Sequence, residues 1–347
     1  MQERQLAASQ PIRSPSFAAI ETTCWLGTDT SSQRNLINKT RSKSDNQNDF
    51  ESKTLDRLLR QQTTIDQPVS VTGFGFWSGR DVKLTFRPAK PDSGVVFVRV
   101  DLPGQPRIPA VVQNRVNGPR RTTLVANGCP VEMVEHVLSA LAGLQIDNCE
   151  IHVDRAEMPG CDGSSLAFVE ALGQTTIVPL NAKRRVTRVE STIRVGDEHA
   201  WIQAEPSFDD SLELTYHLHY DCPAIGTQSY STIVNPQTYV EEVASARTFV
   251  LEAEAKALKQ QGLGQRVSYQ DVVVFDDNGP VETKVRFEDE CARHKILDMI
   301  GDFSLSGRDL IGKFTASRSG HRLNSQMVFA LLQQIVKVPI NPSRMSA

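Results

Sequence analysis

The chain has 347 residues, 39% apolar and 23% charged, which is the balance of a globular protein with room for roughly two domains. Lys and Arg number 38 against 41 Asp and Glu, and the net charge of -3 argues against a dedicated nucleic-acid binder. No apolar run reaches the ~18 residues of a membrane-spanning helix. The six cysteines include no CxxC pair, which argues against a disulfide framework and favours a reducing cytoplasm.

The N-terminal segment differs in composition from the rest of the chain. Residues 1–65 are rich in polar side chains and hold three aromatic residues, too few to offset the entropy cost of ordering, so we expect a disordered extension. A signal peptide is the competing interpretation, but Ser16–Trp25 is too short and too polar for its apolar region. The spacing of leucines predicts one short helix, at Thr54–Gln62.

The first half of the chain shows both strand and helix patterns. Glycines at 73, 75 and 79 lack the spacing of a dinucleotide-binding loop and are followed by a strand pattern, so they predict a hairpin between Val69 and Phe86. Alternation and helical spacing then predict a strand at Val95–Val100, a helix at Pro130–Leu144, a strand at Cys149–Val153 with its odd positions buried, and a helix ending at Val169–Leu172.

The second half repeats strands followed by helices. The patterns predict strands at Arg188–Val195, Ala200–Ala204 and Leu212–Tyr220, a helical stretch at Gln237–Ala257 interrupted near Thr248–Val250, an Asn-Gly hairpin joining Val272–Phe275 to Val281–Phe287, and helices at Glu288–Ile300 and Gln326–Val336. Two such runs predict an α+β protein rather than one doubly wound sheet. We place domain I at 66–182 and domain II at 183–341, with a hairpin insert around 262–287.

Three of the seven histidines have neighbours that suggest chemistry. The other four (His152, His199, His217 and His219) lie on alternating strand positions and are expected to be solvated. His294 and Asp298 are four residues apart on a predicted helix, so they share a face and suit ligation of one metal ion. For that pair alone a surface ion pair is the simpler interpretation, and the spacing indicates a metal site only in combination with other residues.

Two further polar groups supply that combination. Glu135 and His136 lie in an apolar seam of the first predicted helix, where a buried charge needs a partner. They are not the H-E-x-x-H of metalloproteases, because no second histidine follows four residues on. His321 lies in a glycine-bounded loop, Ser319–Arg322, that is able to aim it into a cleft.

Several segments together resemble the UDP-3-O-acyl-N-acetylglucosamine deacetylase family, the zinc amidases of the lipid A pathway. The resemblance runs in order from about Val69 to Val336. It rests on Val134-Glu135-His136 with Leu141–Leu144 and Ile146-Asp147-Asn148, Pro159 with Asp162-Gly163-Ser164, Ser245–Phe249, Arg286–Glu290 with His294-Lys295, Asp298 and Gly301-Asp302, and Ser319-Gly320-His321 with Asn324.

The resemblance implies a role for each of these residues. His136, His294 and Asp298 would ligate Zn²⁺, and such a set leaves a fourth position for water, as in catalytic zinc sites. Glu135 would be the general base and His321 the general acid or cationic stabiliser. The remaining implied roles are orientation of His321 by Asp302, a position by the developing oxyanion for Thr248, and substrate contacts for Lys295, Phe249 and Gly320.

The resemblance also implies a fold and a partner. The fold would be two similar two-layer α/β sandwich domains, packed with their helices between the sheets and with the catalytic zinc at the interface. The substrate would be an acylated UDP-sugar, handled by a cytoplasmic monomer with no transmembrane segment and no nucleic-acid partner. The hairpin at Gly262–Phe287 is the expected wall of an apolar channel for the acyl chain.

The chain departs from the family pattern at some positions. Trp77 stands where the family has a histidine, Leu263–Arg266 differs from the family's L-G-G-S-like segment, and the extension at 1–65 has no counterpart. Two alternatives stay open: a zinc amidase acting on another N-acetylated sugar nucleotide, and a catalytically silent zinc-binding or partner-binding descendant. Presence of Glu135, His321 and Asp302 beside all three ligands argues against silence. Fe(II) or Co(II) would accept the same ligands.

Overall fold

Two β-sheets with the same strand order are the main feature of the fold. The computed structural model describes residues 59–337. Its strands are β1 (Gln61–Ile65), β2 (Val69–Phe74), β3 (Asp81–Pro88), β4 (Val95–Arg99), β5 (Arg107–Pro109), β6 (Arg115–Val116), β7 (Thr123–Ala126), β8 (Cys129–Glu132), β9 (Cys149–Val153), β10 (Ile177–Lys183), β11 (Val186–Arg188), β12 (Ile193–Gly196), β13 (Trp201–Glu205), β14 (Leu212–His219), β15 (Thr227–Ile233), β16 (Phe249–Leu251), β17 (Val273–Phe275) and β18 (Asp309–Ser317).

The longer helices are α1 (Glu135–Gly143), α2 (Leu166–Leu172), α3 (Glu252–Gln260), α4 (Glu290–Ser304) and α5 (His321–Lys337). Shorter turns are a 3₁₀ turn at Val112–Asn114 and a helical turn at Pro236–Thr238 that continues into a π-helical turn at Tyr239–Val243. Within residues 59–337, no helix has both the length and the apolar character that crossing a bilayer requires.

The first sheet has the order β2-β3-β9-β4-β5. β9 lies antiparallel to β3 and parallel to β4. Its odd positions, from Cys149 to Val153, are buried as predicted, because alternate side chains of a strand point to opposite faces. Phe86 of β3 packs edge-on against Phe168 of α2 with ring centroids 6.3 Å apart, so α2 covers this sheet.

The second sheet repeats that arrangement. Its order is β12-β13-β18-β14-β15, with β11 pairing to β18. β18 is antiparallel to β13 and parallel to β14, as β9 is to its neighbours. In both halves the late strand enters between two hairpins, preceded by one helix and followed by another. This repetition confirms the predicted α+β architecture of two similar layered units, and the boundaries at 66–182 and 183–341 stay predictions.

Helices α1, α2, α4 and α5 lie between the two sheets, whereas α3 contacts β16 and β17. α2 contacts β2 and α1, α1 packs on α4, and α4 and α5 contact strands of the second sheet. The approach of α1 and α4 depends on Gly301, because a Cβ there would lie 2.1 Å from the carbonyl oxygen of Glu135. Buried residues of both halves join one hydrophobic core.

The end of the predicted N-terminal extension is part of the fold. β1 pairs antiparallel with β10, and Ile65 is fully buried. Disorder as far as residue 65 is therefore wrong for Gln61–Ile65, and so is the end of the helix predicted at Thr54–Gln62. Pairing with a strand more than a hundred residues away overrides local composition there. The rest of both predictions lies outside the described residues.

The first predicted helix starts later than expected. Pro130 belongs to β8, which is the edge strand of a three-stranded sheet. An edge strand tolerates proline where the backbone nitrogen faces outward, because no ladder hydrogen bond is lost there. Asn127 and Gly128, with φ of 51° and 75°, make the turn from β7 to β8. Asn-Gly is the strongest short hairpin signal. The hairpin places residues 129–132 in a strand, so the helix begins only at Glu135.

The predicted hairpin insert is wrong in its second arm. β17 pairs in parallel with β16, and beyond it only a bridge from Phe275 to Pro280 continues the turn at residues 276–279. The N–H of Val281 still donates to Val274 O at 2.8 Å, but Glu282 has a positive φ of 53°, and residues 282–287 leave the ladder.

Candidate metal centre and active site

Three side chains meet where α1 packs on α4. His136 is the second residue of α1, and His294 and Asp298 lie on successive turns of α4, as their spacing predicts. One ligand atom from each lies within 4.8 Å of the other two. The Nε2 atoms of His136 and His294 are 3.7 and 3.4 Å from Asp298 Oδ1, and all three residues are buried.

The protonation of these groups suits a metal ion. Burial, followed by the neighbouring His294, lowers the pKa of His136 to about 3, and burial lowers the pKa of His294. Burial would raise the pKa of Asp298, but the charge of Lys295, whose Nζ is 2.9 Å from Oδ2, outweighs it and lowers the pKa. Near neutral pH the site therefore offers two neutral imidazoles and one carboxylate, the forms that bind metal.

Glu135 and His321 face each other beside this trio. Glu135 is the first residue of α1, and its Oε1 lies 3.8 Å from His321 Nε2. Burial raises the pKa of Glu135 to about 7, against the opposing charge of His321. Glu135 Oε2 accepts a hydrogen bond from the backbone N–H of Thr122 at 3.0 Å. A carboxylate with one oxygen held by the backbone and the other aimed at the cavity is placed for proton transfer.

Asp302 holds the other nitrogen of His321. The distance from His321 Nδ1 to Asp302 Oδ2 is 2.8 Å, and Asn324 Nδ2 donates to the same oxygen at 2.8 Å. Burial would lower the pKa of His321, but the charge of Asp302 outweighs it and raises the pKa to about 9. His321 is the first residue of α5 rather than a loop residue, and the predicted Asp302–His321 contact is present.

All the remaining predicted site residues line one cavity of about 680 Å³ with the trio, Glu135 and His321. They are Thr248, Phe249, Lys295 and Gly320. Phe249 packs edge-on against His294 and Phe275, with centroids 6.5 Å away in both cases. Val272 and Val274 line the same cavity, so the residues expected to form an apolar wall do so, although the hairpin they were assigned to is incomplete.

Trp77 also lines the cavity, at the tip of the first hairpin. The backbone N–H groups of Trp77 and Ser78 donate to the buried carboxylate of Glu157 at 2.7 and 2.8 Å. Arg121 lies over the indole at 4.8 Å from the ring centroid. Trp77 therefore presents an aromatic surface at a fixed position.

Thr122 is a site residue that sequence reasoning missed. Besides its N–H to Glu135, its hydroxyl donates to Asp302 Oδ1 at 2.6 Å, so it links the two carboxylates. Its neighbours are arginines and a threonine, with no apolar periodicity and no metal-ligand type among them. Only the tertiary contact over 180 residues identifies it.

Comparison with known proteins agrees with this geometry. The sequence pattern of the family described as UDP-3-O-acyl N-acetylglycosamine deacetylase matches residues 62–333. A protein of Syntrophotalea carbinolica named UDP-3-O-acyl-N-acetylglucosamine deacetylase is 36% identical over 272 residues, covering 78% of this chain and 87% of the relative. Proteins of the same name from Solibacter usitatus and Hahella chejuensis are 37% and 38% identical, covering 79% of this chain and 92% and 91% of the relatives. The chain belongs to the UDP-3-O-acyl-N-acetylglucosamine deacetylase family.

Proposed function

We propose that the chain hydrolyses the N-acetyl group of UDP-3-O-(3-hydroxyacyl)-N-acetylglucosamine, giving the free amine and acetate, with a zinc ion held by His136, His294 and Asp298. Family membership supports the substrate and the place of the reaction in lipid A biosynthesis. The observation that carries the proposal is the convergence of the three ligands, the Glu135 carboxylate and the Asp302-bound His321 on one cavity.

The residues present fit a tetrahedral metal ion. Ligand atoms about 2.0–2.2 Å from a tetrahedral zinc lie roughly 3.3–3.6 Å apart, close to the 3.4 and 3.7 Å between the histidine nitrogens and Asp298 Oδ1. His294 Nδ1 donates to the carbonyl of Ala246 at 3.1 Å, which leaves the Nε2 lone pair free. His136 Nδ1 is buried and has no hydrogen-bond partner among residues 59–337.

Zinc in this position would polarise the acetamide carbonyl and lower the pKa of water toward ~7. Glu135 then takes the proton of the attacking water through the oxygen that faces His321. Its raised pKa, about 7, matches a base that must accept and later release a proton near neutrality. The Thr122 N–H fixes the other oxygen, so the carboxylate does not need to reorganise during the step.

His321 supplies the proton to the leaving amine. Its pKa of about 9 keeps the imidazolium populated at neutral pH, and Asp302 holds Nδ1 so that Nε2 points to Glu135 and the cavity. Because the pKa of the base Glu135 lies below that of the acid His321, between the two values Glu135 is deprotonated while His321 is still protonated.

The substrate-binding roles follow the lining of the cavity. Thr248 would lie by the developing oxyanion, and Lys295 and Gly320 would contact the sugar nucleotide. Phe249, Val272 and Val274 would cover the first part of the acyl chain. Burial of alkyl surface against such side chains stabilises a complex by about 25 cal/mol per Å². Trp77 would stack on the substrate where a histidine would hydrogen-bond.

The test uses the purified chain and three substrates. Acetate release is measured with the acylated UDP-sugar, with UDP-N-acetylglucosamine and with another N-acetylated sugar nucleotide, before and after zinc is removed and restored. We expect zinc-dependent release from the acylated sugar alone. Faster release from a non-acylated substrate would favour the other amidase, and stoichiometric zinc without any release would indicate a silent descendant.

A further inference from the structure

Three segments outside the proposed chemistry meet beside the candidate metal centre. They are residues 162–165, 245–248 and 286–290. Arg286 contacts all three, because its Nη2 is 2.7 Å from Asp162 Oδ2, its Nη1 donates to Ser245 O at 2.7 Å and its backbone N–H donates to Glu290 Oε2 at 2.6 Å. The proposed chemistry uses Thr248 alone from these segments, which leaves the rest of the network without a role.

Arg247 and Glu290 form the buried centre of this network, with side chains 6% and 1% exposed. Glu290 Oε1 accepts from the backbone N–H and Nε of Arg247 at 3.0 and 2.8 Å, and Oε2 accepts from Nη2 at 3.1 Å. Arg247 also donates to Lys284 O at 2.6 Å and Thr283 Oγ1 at 3.2 Å. A buried ion pair with so many hydrogen bonds fixes the two segments that carry it.

Each member of the pair adjoins the candidate site. Glu290 precedes His294 by four residues, so the two side chains share a face of α4. Arg247 lies between Ala246, whose carbonyl accepts from His294 Nδ1 at 3.1 Å, and Thr248 on the cavity wall. The pair thus joins the first turn of α4 to the segment that contacts His294 one turn later.

The third segment holds Thr248 from the other side. The backbone N–H of Thr248 donates to Gly163 O at 2.7 Å. Gly163 has φ of +79°, and a Cβ there would lie 2.5 Å from Asp271 O and 3.0 Å from Thr248 Cγ2. A glycine is therefore required for this turn to approach Thr248 so closely.

We propose that Arg247 and Glu290 are positioning residues of the metal centre, which hold the Ala246 carbonyl against His294 and Thr248 at the cavity wall. The proposal rests on the proposed zinc site. Hydrogen-bonding partners of metal-bound histidines typically change metal affinity by roughly 10–100-fold. A pair that served folding alone would lower the unfolding temperature and leave the zinc affinity of the folded chain unchanged.

The test is the neutral double variant Arg247→Met with Glu290→Gln, and the single variant Arg247→Lys. The double variant leaves no unpaired buried charge, and the glutamine oxygen keeps an acceptor for one of the two backbone N–H groups, of Arg247 and Arg286, that Glu290 binds. Lysine keeps the charge and loses the planar fork. Zinc dissociation constants are measured by competition with a chromogenic chelator, together with the unfolding temperature of the metal-free protein, kcat and KM.

We expect the double variant to bind zinc about 10–100-fold more weakly. We also expect it to lower kcat more than it changes KM, and the lysine variant to show a smaller loss. The control is Arg99→Met with Asp101→Asn, a bidentate pair that does not line the cavity, and this variant should change the unfolding temperature alone. Wild-type zinc affinity in the folded double variant overturns the proposal, and so does an equal loss of zinc affinity in the control. Failure of both Arg247 variants to fold also overturns it.

Absence of acetate release by the wild-type chain counts against the proposed function, and the zinc affinities still decide this inference.

Discussion

Asp298 contacts three neighbouring side chains of the site, because both candidate-ligand histidines and Lys295 lie within 3.7 Å of its carboxylate. Replacing His136, His294 or Asp298 by Ala should lower bound zinc and the rate together, since two ligands rarely retain an ion that three hold. Metal analysis after gel filtration, paired with acetate release, makes the comparison. His152→Ala is the matched control, as this histidine pairs with Glu150 away from the site. Full zinc content and full rate in a ligand variant would contradict the assignment.

Glu135 should act on protons rather than on the metal. Glu135→Gln keeps the shape and an acceptor for the Thr122 N–H, so zinc should stay bound while kcat falls on the order of 10²–10⁴-fold. Zinc content and kcat are measured on the same sample. Loss of zinc with the rate would assign Glu135 to the support of the ligands instead.

The dependence of the rate on pH tests the pairing of His321 with Asp302. Glu135 must be deprotonated and His321 protonated, so with pKa values of about 7 and about 9 the rate should rise through the first and fall through the second. A bound cation lowers both pKa values and moves both limbs down together. Asp302→Asn removes the charge that raises the pKa of His321, so the alkaline limb should move to lower pH.

The profile of the Asp302→Asn variant is compared with wild type at full zinc loading. The two groups interact and titrate as a set, so the shift between variants is the measured quantity. An alkaline limb at the wild-type pH would show that Asp302 does not set the pKa of the general acid.

At the residue scale, spacing and the family resemblance named the candidate ligands, Glu135, His321 and the Asp302 that contacts it, but assigned no role to most of the residues that hold them. His294 and Asp298 could be paired from their spacing alone, because a helix places such residues on one face. Thr122, Glu157 and the Arg247–Glu290 pair contact the site across long stretches of chain. No local pattern records such a partner, since a hydrogen bond to a backbone N–H constrains geometry rather than composition.

Among the elements, the contact between α1 and α4 decides whether the ligands meet. Gly301→Ala would place a Cβ 2.1 Å from the Glu135 carbonyl oxygen, so the helices must separate. We expect a loss of about 1–3 kcal/mol in unfolding free energy and weaker zinc binding, because Glu135 and His136 move with α1. Gly173→Ala is the control, since its nearest neighbour is 3.3 Å away. Urea unfolding and chelator competition measure the two effects, and equal behaviour of the two variants would contradict the prediction.

The elements that the sequence predicted best were those with regular alternation, such as the strands at 149–153 and 212–219. The errors lie where a non-local contact or a turn overrides the pattern. β1 forms because β10 pairs with it. The first helix starts at Glu135 rather than at Pro130, because the turn at Asn127-Gly128 places Pro130 in a strand. The predicted second hairpin arm ends after Val281, where Glu282 adopts a positive φ of 53°.

At the scale of the whole molecule, the repeated topology explains why the site needs both halves. The helix that precedes the late strand is α1 in the first half and α4 in the second, and each contributes candidate metal ligands. His136 comes from the first and His294 with Asp298 from the second. Neither half holds all three candidate ligands, so we expect metal binding and packing of the two halves to be coupled.

Arg60 ties the two halves together from outside the sheets. Its guanidinium donates to both oxygens of Asp147, which follows α1, at 2.7 Å, and to Asp309, which begins β18, at 2.7 and 2.9 Å. A chain that starts at residue 59 keeps these pairs and β1, whereas a chain that starts at residue 66 loses both. The shorter chain should unfold at least about 5 °C lower, because removal of Arg60 leaves Asp147 short of a partner in a buried position.

Thermal unfolding of the two truncated chains is compared without zinc, so that metal binding does not mask the difference. Arg60→Met in the chain from residue 59 separates the ion pairs from the strand, and it should account for part of the loss while β1 accounts for the rest. Arg184 also contacts both Asp147 and Asp309, with 3.0 Å from Nε to each, so the variant retains one bridge between the halves. Equal unfolding temperatures of the two truncated chains would mean that neither β1 nor Arg60 contributes to holding the halves together.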